Sequence, residues 1–100
     1  MHANTIKAIK NFASRKGLDV SFTESQVSIT VCGVISYTVE HTKHGWVSYA
    51  IDEKRDLFVS HDIVGRGKVY AATLEQLAAH YLVNAHKTAL GAVKAIANHL

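Results

Sequence analysis

The spacing of apolar residues changes twice along this chain, and each change marks a different kind of element. Ile6, Ile9 and Ala13 recur at helical spacing with Phe12 alongside, while Lys7, Lys10 and Ser14 form another stripe. Asn4 or Thr5 can cap the start, because a short oxygen-bearing side chain accepts from an orphan backbone N–H. Gly17 follows Arg15 and Lys16 and suits a helix end, since glycine tolerates the left-handed conformation there. Leu18 is then expected to fold back on the last turn.

From Asp19 the period drops to two. Val20 and Phe22, then Val27, Ile29 and Val31, then Ile35, Tyr37 and Val39 alternate with serine and threonine. Val47, Tyr49 and Ile51 continue the alternation, and Leu57 with Val59 follows the polar turn Asp52–Arg55. Serine or threonine at every second position marks a wetted face and the β-branched and aromatic set a buried one. Short polar connections predict an antiparallel meander of about five strands. Val69–Tyr70 is read as a short strand or an extended entry to the next element.

The helical period returns at Thr73, with Gln76 three residues on as in a capping box. Leu74, Leu77, Ala78, Tyr81, Ala85, Ala89, Ala92, Val93, Ile96 and Leu100 follow one stripe. An unbroken helix of roughly 27 residues would be about 40 Å long, against about 23 Å for a seven-residue strand. The overhang implies either a break near Asn84, which the pattern favours, or packing on a second copy. Leu82, Val83 and Leu90 lie off the stripe and need extra cover in either case. The expected fold is α+β over residues 1–100 as one domain. It has an N-terminal helix, the meander, and a C-terminal helical segment, one helix or two, packed on one sheet face. A homodimer through that segment is the corollary of an overhang.

Composition narrows the class without naming a task. The chain has 100 residues, 48% of them hydrophobic and 19% charged, which is too apolar for a disordered chain. No apolar run approaches a membrane span, and Met1 to Ile9 lack a signal-peptide pattern, so a cytoplasmic location is expected. A single cysteine, Cys32, excludes an internal disulfide and suits a reducing compartment. Charge falls in three blocks of +4 over residues 1–17, −4 over 18–62 and +3 over 63–100. If the ends fold together, the molecule has a basic side and an acidic side.

Residues that could carry chemistry are scattered. There are seven histidines, but His41 and His44 share a turn, His61 ends a strand, and His80 and His86 fall on different sides of a helix. Zinc wants three or four converging ligands, so no metal and no other cofactor is expected. Ser60-His61-Asp62 holds the residue types of a hydrolase triad, yet neighbours on a strand point to alternate faces. Cys32 beside Gly33 reads as a small hydrophobe rather than a nucleophile. Carboxylate pairs lie in solvated turns, which offers no desolvated acid. Gly65-Arg66-Gly67-Lys68 could present backbone N–H groups and cations to a phosphate. It is not a Walker loop, because Asp62 stands where that motif needs glycine and Val69 where it needs a hydroxyl. The expectation is a protein that is not an enzyme.

Two resemblances bear on what it does instead. The stretch Ile6-Lys7-Ala8-Ile9 through Lys16-Gly17-Leu18, with His86-Lys87-Thr88-Ala89 onward after the strands, loosely resembles the helix–strands–helix order of double-stranded-RNA-binding domains. That family touches phosphates with a basic helix start. This chain departs from it in having more strands, an added helical stretch from Thr73 to Val83, and only His86 and Lys87 where the family clusters lysines. In size and plainness the chain is similar to small accessory proteins of phages and mobile elements. That likeness implies an inhibitor of a host nuclease or defence complex, of the anti-CRISPR kind.

The leading expectation is therefore a non-enzymatic protein that docks on a protein or nucleoprotein partner, with no membrane role. Trp46 and Phe58 stand off the strand registers and are expected at the surface among His44, Asp52, Glu53 and Asp56, where aromatics anchor partners. The alternative is a nucleic-acid-binding module using Lys7, Lys10, Arg15, Lys16, Arg66, Lys68 and Lys87.

Overall fold

A computed structural model describes residues 1–31, 33, 35–61 and 67–98. The expectations placed on Cys32, Asp62, Gly65, Arg66 and Leu100 lie outside the described residues. Helix α1 (Ala3–Lys16) starts earlier than the capping residues implied: His2 precedes it without a side-chain cap, and Asn4 and Thr5 sit inside its first turn. The chain start is tethered instead, the Met1 ammonium donating to the Glu24 carbonyl at 3.3 Å. At the other end Gly17 is left-handed (φ 70°), and the Leu18 N–H donates back to the Ala13 carbonyl at 2.9 Å. Leu18 is buried there, so the fold-back holds as expected.

Six strands follow in chain order: β1 (Asp19–Phe22), β2 (Gln26–Val31), β3 (Ile35–Thr42), β4 (Gly45–Asp52), β5 (Leu57–His61) and β6 (Lys68–Ala71). They form one sheet ordered β1-β2-β3-β4-β5-β6 with every neighbour antiparallel. The meander thus gains a sixth strand, because Lys68–Ala71 pairs along the whole of Phe58–His61. The C-terminal segment is two helices, α2 (Leu74–Ala79) and α3 (Ala89–Ala97). Thr73 caps the first by accepting from the Gln76 N–H at 3.2 Å, and Thr88 caps the second by accepting from the Gly91 N–H at 3.0 Å.

Register decides which residues share a face, since directly opposed residues of an antiparallel pair point the same way. Val27 opposes Val39 and Ile29 opposes Tyr37. On that face Val27, Ile29 and Val39 are buried against Ile9 and Phe12 of α1 and Ala92, Val93 and Ile96 of α3. Each such fully buried aliphatic contributes roughly 1.5–3 kcal/mol. Val47, by contrast, opposes Glu40, and Tyr49 opposes Thr38. They therefore lie on the opposite face, where they form a second core with Val69, Leu77, Ala78 and Val83. The helices of the C-terminal segment accordingly divide between the two faces, α3 beside α1 and α2 alone on the other side.

The chain changes faces between Ala79 and Ala89, passing along the β4 edge beyond the described end of β5. The Trp46 N–H donates to the His86 carbonyl, and the His86 N–H donates to the Trp46 carbonyl, both at 2.7 Å. Gly45 is left-handed (φ 119°), and a Cβ placed on it would lie 2.6 Å from the His86 oxygen, so the crossing needs glycine there. This crossing also answers the length problem. Val83 and Leu82 join the second core and Leu90 the first. Of the stripe, Tyr81 stays exposed at 82% and Leu100 lies outside the described residues, but the single long helix whose overhang suggested a homodimer is replaced by two short ones.

Candidate binding face and cavity

Among the described residues each face of the sheet is covered by helix over part of its width, α1 and α3 reaching as far as β4 on one face and α2 lying over β5 and β6 on the other. The two parts without helix cover are written differently. Opposite α1 and α3, strands β1 to β3 present Ser21, Ser28 and Ser36, all exposed, with Thr30 and Thr38 half-buried. That half is made for water. Opposite α2, strands β4 to β6 present Ala50, Leu57, Val59 and Tyr70, with Ala50 opposing Val59 and Val59 opposing Tyr70. These four are half-buried and belong to neither core. They make an apolar shelf.

The shelf has polar margins. On one side the Arg55 guanidinium lies over the Tyr70 ring, 4.7 Å from its centroid. Arg55 is held there by Asp52, which pairs with its guanidinium at 3.2 Å and accepts from its backbone N–H at 3.0 Å. The pair is partly exposed, so it orients the side chain more than it stabilises the fold. Toward the molecule's middle the shelf dips into a cavity of about 70 Å³ where Ile96 of α3 meets the sheet. Tyr37, Ser48, Ala50, Val59, His61 and Lys68 line it from the strands, together with Tyr49 and Ser60. His61 and Lys68 are directly opposed across β5 and β6. The Tyr37 and His61 rings are tilted at 43° with centroids 6.2 Å apart.

The residues singled out by sequence are not brought together. Trp46 is half-buried against the first core, its ring 5.0 Å from that of His41. Phe58 is half-buried against the second core, edge-on to Tyr49 at 5.3 Å. The expectation of two outward aromatics is therefore corrected: helices lie on both faces, and Trp46 packs toward the core under α1 and α3 while Phe58 packs toward the core under α2. Trp46 and Phe58 also sit on opposite faces. His44 is exposed at the β3–β4 turn, whereas Asp52, Glu53 and Asp56 occupy the β4–β5 turn at the far end of β4, about 23 Å away.

The basic set is equally divided. Lys7, Lys10, Arg15 and Lys16 are exposed on α1, which packs over β1. Lys68 is on β6, five strands across and about 24 Å distant. Lys87 precedes α3 and is exposed. Lys10 leans over the Phe22 ring at 5.8 Å, and Arg15 and Lys16 complement the C-terminal dipole of α1. Among the described residues no group of three His, Cys, Asp or Glu side chains could hold a metal ion.

Burial shifts the titration of Tyr49 and of His86. The Tyr49 hydroxyl is pushed up to about 12, first by burial and then by Glu40, to which it donates at 3.0 Å. Glu40 also accepts from the Gln26 amide, so the buried phenol ends in a satisfied network. Burial lowers the His86 imidazole below its ordinary value of 6.5.

The shelf and cavity were missed in sequence because Ala50 and Tyr70 looked like polar-side or connecting residues. A signal was present: Leu57-Phe58-Val59 is apolar at both parities, as befits strands expecting cover on both faces. No protein family, curated protein or solved structure matches this chain. Among the described residues no helix is long and apolar enough to cross a membrane.

Proposed function

We propose that this chain is a small non-enzymatic binding protein that docks on a macromolecular partner through the open half of the sheet. One observation carries the reading. On β1 to β3 the part without helix cover is polar throughout, serine and threonine with Asp19, Gln26 and Glu40. On β4 to β6, by contrast, Ala50, Leu57, Val59 and Tyr70 form its centre between Asp52 at one end and His61 and Lys68 at the other. A surface meant only for water has no use for the second set. Tyr70 under Arg55 is a natural anchor, because tyrosine and arginine dominate the energetics of interfaces. Blocking a site on a larger enzyme or complex asks area and complementarity of a binder and no chemistry. That is the inhibitory role implied by its likeness to phage accessory proteins.

The test is affinity capture from nuclease-treated extract with the full chain, Tyr70→Ala and Leu57→Ser. A stoichiometric protein held by the wild type and lost by both variants, at unchanged folding, is the expected result. Equal capture by all three chains removes this face from the interaction, and capture abolished by nuclease treatment replaces a protein partner with nucleic acid.

A further inference from the structure

We propose that the cavity beside Ile96 receives an aliphatic carboxylate, presented by the partner as an acidic side chain or a chain terminus. The presentation by a partner rests on the docking reading above; the carboxylate chemistry rests on the cavity alone. The lining combines an apolar floor of Ala50, Val59 and Ile96 with the Lys68 ammonium and the Tyr37 and Ser48 hydroxyls. No acidic side chain among the described residues lines it.

Charge, shape and size agree on the class. Lys68 supplies a permanent cation at the rim, being itself exposed, and His61 stands opposite it in register. A carboxylate meeting an ammonium and hydroxyl donors makes charge-assisted hydrogen bonds, the stronger kind. At roughly 10–15 Å³ of such space per water, the cavity holds about five non-hydrogen atoms. A carboxylate on a two- or three-carbon stem fills it, with the stem against Ala50, Val59 and Ile96. A phosphate dianion fits less well. It would press charge against that floor with one permanent cation to offset it.

The experiment titrates the isotopically labelled full chain with sodium butyrate, butyramide and inorganic phosphate, following backbone amide shifts. Butyrate is expected to move Ser48, Val59, His61 and Lys68 saturably. Butyramide, of the same shape without the charge, should bind about tenfold more weakly or worse, and Lys68→Met should weaken butyrate by a similar factor at unchanged melting temperature. Butyrate without a saturable shift, butyramide matching it, or phosphate binding more tightly each overturns the proposal. Butyrate binding with no partner captured leaves the carboxylate site and removes the docking reading. Capture that ignores Lys68→Met leaves the docking reading and removes the partner as the source of the carboxylate.

Discussion

Replacing Gly45 with alanine tests the crossing on which the two-faced arrangement depends. Gly45 sits at φ 119°, where a side chain costs about 1–3 kcal/mol in backbone strain. Its new Cβ would also lie 2.6 Å from the His86 carbonyl oxygen and 3.4 Å from the carbonyl carbon. Both are backbone atoms, so no flexible side chain can swing away, and His86 must retreat from β4. Retreat weakens two 2.7 Å hydrogen bonds with Trp46, each contributing about 0.5–1.5 kcal/mol. The sum is about 4 kcal/mol, a large share of the roughly 5–15 kcal/mol that holds a domain together.

Gly17→Ala is the control. Gly17 is also left-handed, at φ 70°, but nothing lies within 4 Å of its would-be Cβ. It should cost only the conformational part, about 1–2 kcal/mol. The gain from a less flexible unfolded chain is common to both and cancels in the comparison. Urea unfolding followed by Trp46 fluorescence gives the two stabilities, and amide exchange at Trp46 and His86 reports the clamp directly. In melting temperature the difference between the variants amounts to about 10–20 °C for a chain of this size. Gly45→Ala no more destabilising than Gly17→Ala, with Trp46 and His86 equally protected, would refute the clamp.

Three further outcomes follow from named groups. Tyr49 keeps its proton to about 12 in the fold but loses it near 10 when unfolded, so its contribution is intact below pH 10 and fades between 10 and about 12. Tyr49→Phe should flatten that alkaline decline in urea midpoints, and an unchanged slope would place the phenol elsewhere. His86 has the opposite sense: its lowered value makes stability fall as pH drops below 6.5, and His86→Gln, which retains the backbone bonds to Trp46, should lessen the fall. Ile96→Asp buries a carboxylate at a site 2% exposed, which costs more than about 4 kcal/mol. Circular dichroism should show an unfolded chain; a folded monomer released from a dimer would support the dimer expectation instead.

Most of the architecture was legible because local chemistry and final structure agree. The Gly17 stop, the Thr73 cap and the alternation through β1 to β3 each carry a mechanism that acts within a few residues. The break between Ala79 and Ala89 was legible for another reason: a helix cannot outrun its sheet unsupported. Sequence could not show the change of face. Val39 and Val47 look alike in an alternating pattern, and only the register, with Glu40 opposite Val47, sends them to different sides. Once one face was assumed, Trp46 and Phe58 had to read as outward. The same assumption hid Leu57 and Val59, which seemed ordinary core residues and lie instead on the open shelf.

The two uncovered halves act as each other's control. They belong to one sheet, come from the same short antiparallel hairpins, and differ in what their side chains ask of the surroundings. On β1 to β3 the chain shows how it writes a face for water, with Ser21, Ser28 and Ser36. Nothing in strand geometry prevents the same residues at Leu57, Val59 and Tyr70, since threonine and serine at half-buried strand positions preserve the pleat. Keeping leucine, valine and tyrosine there exposes apolar area that contributes nothing to either core. The contrast is local, so it cannot be charged to overall composition. That contrast is the support for the proposed docking face on β4 to β6, and Lys68 at its cavity end is why the proposed partner carries a negative charge there.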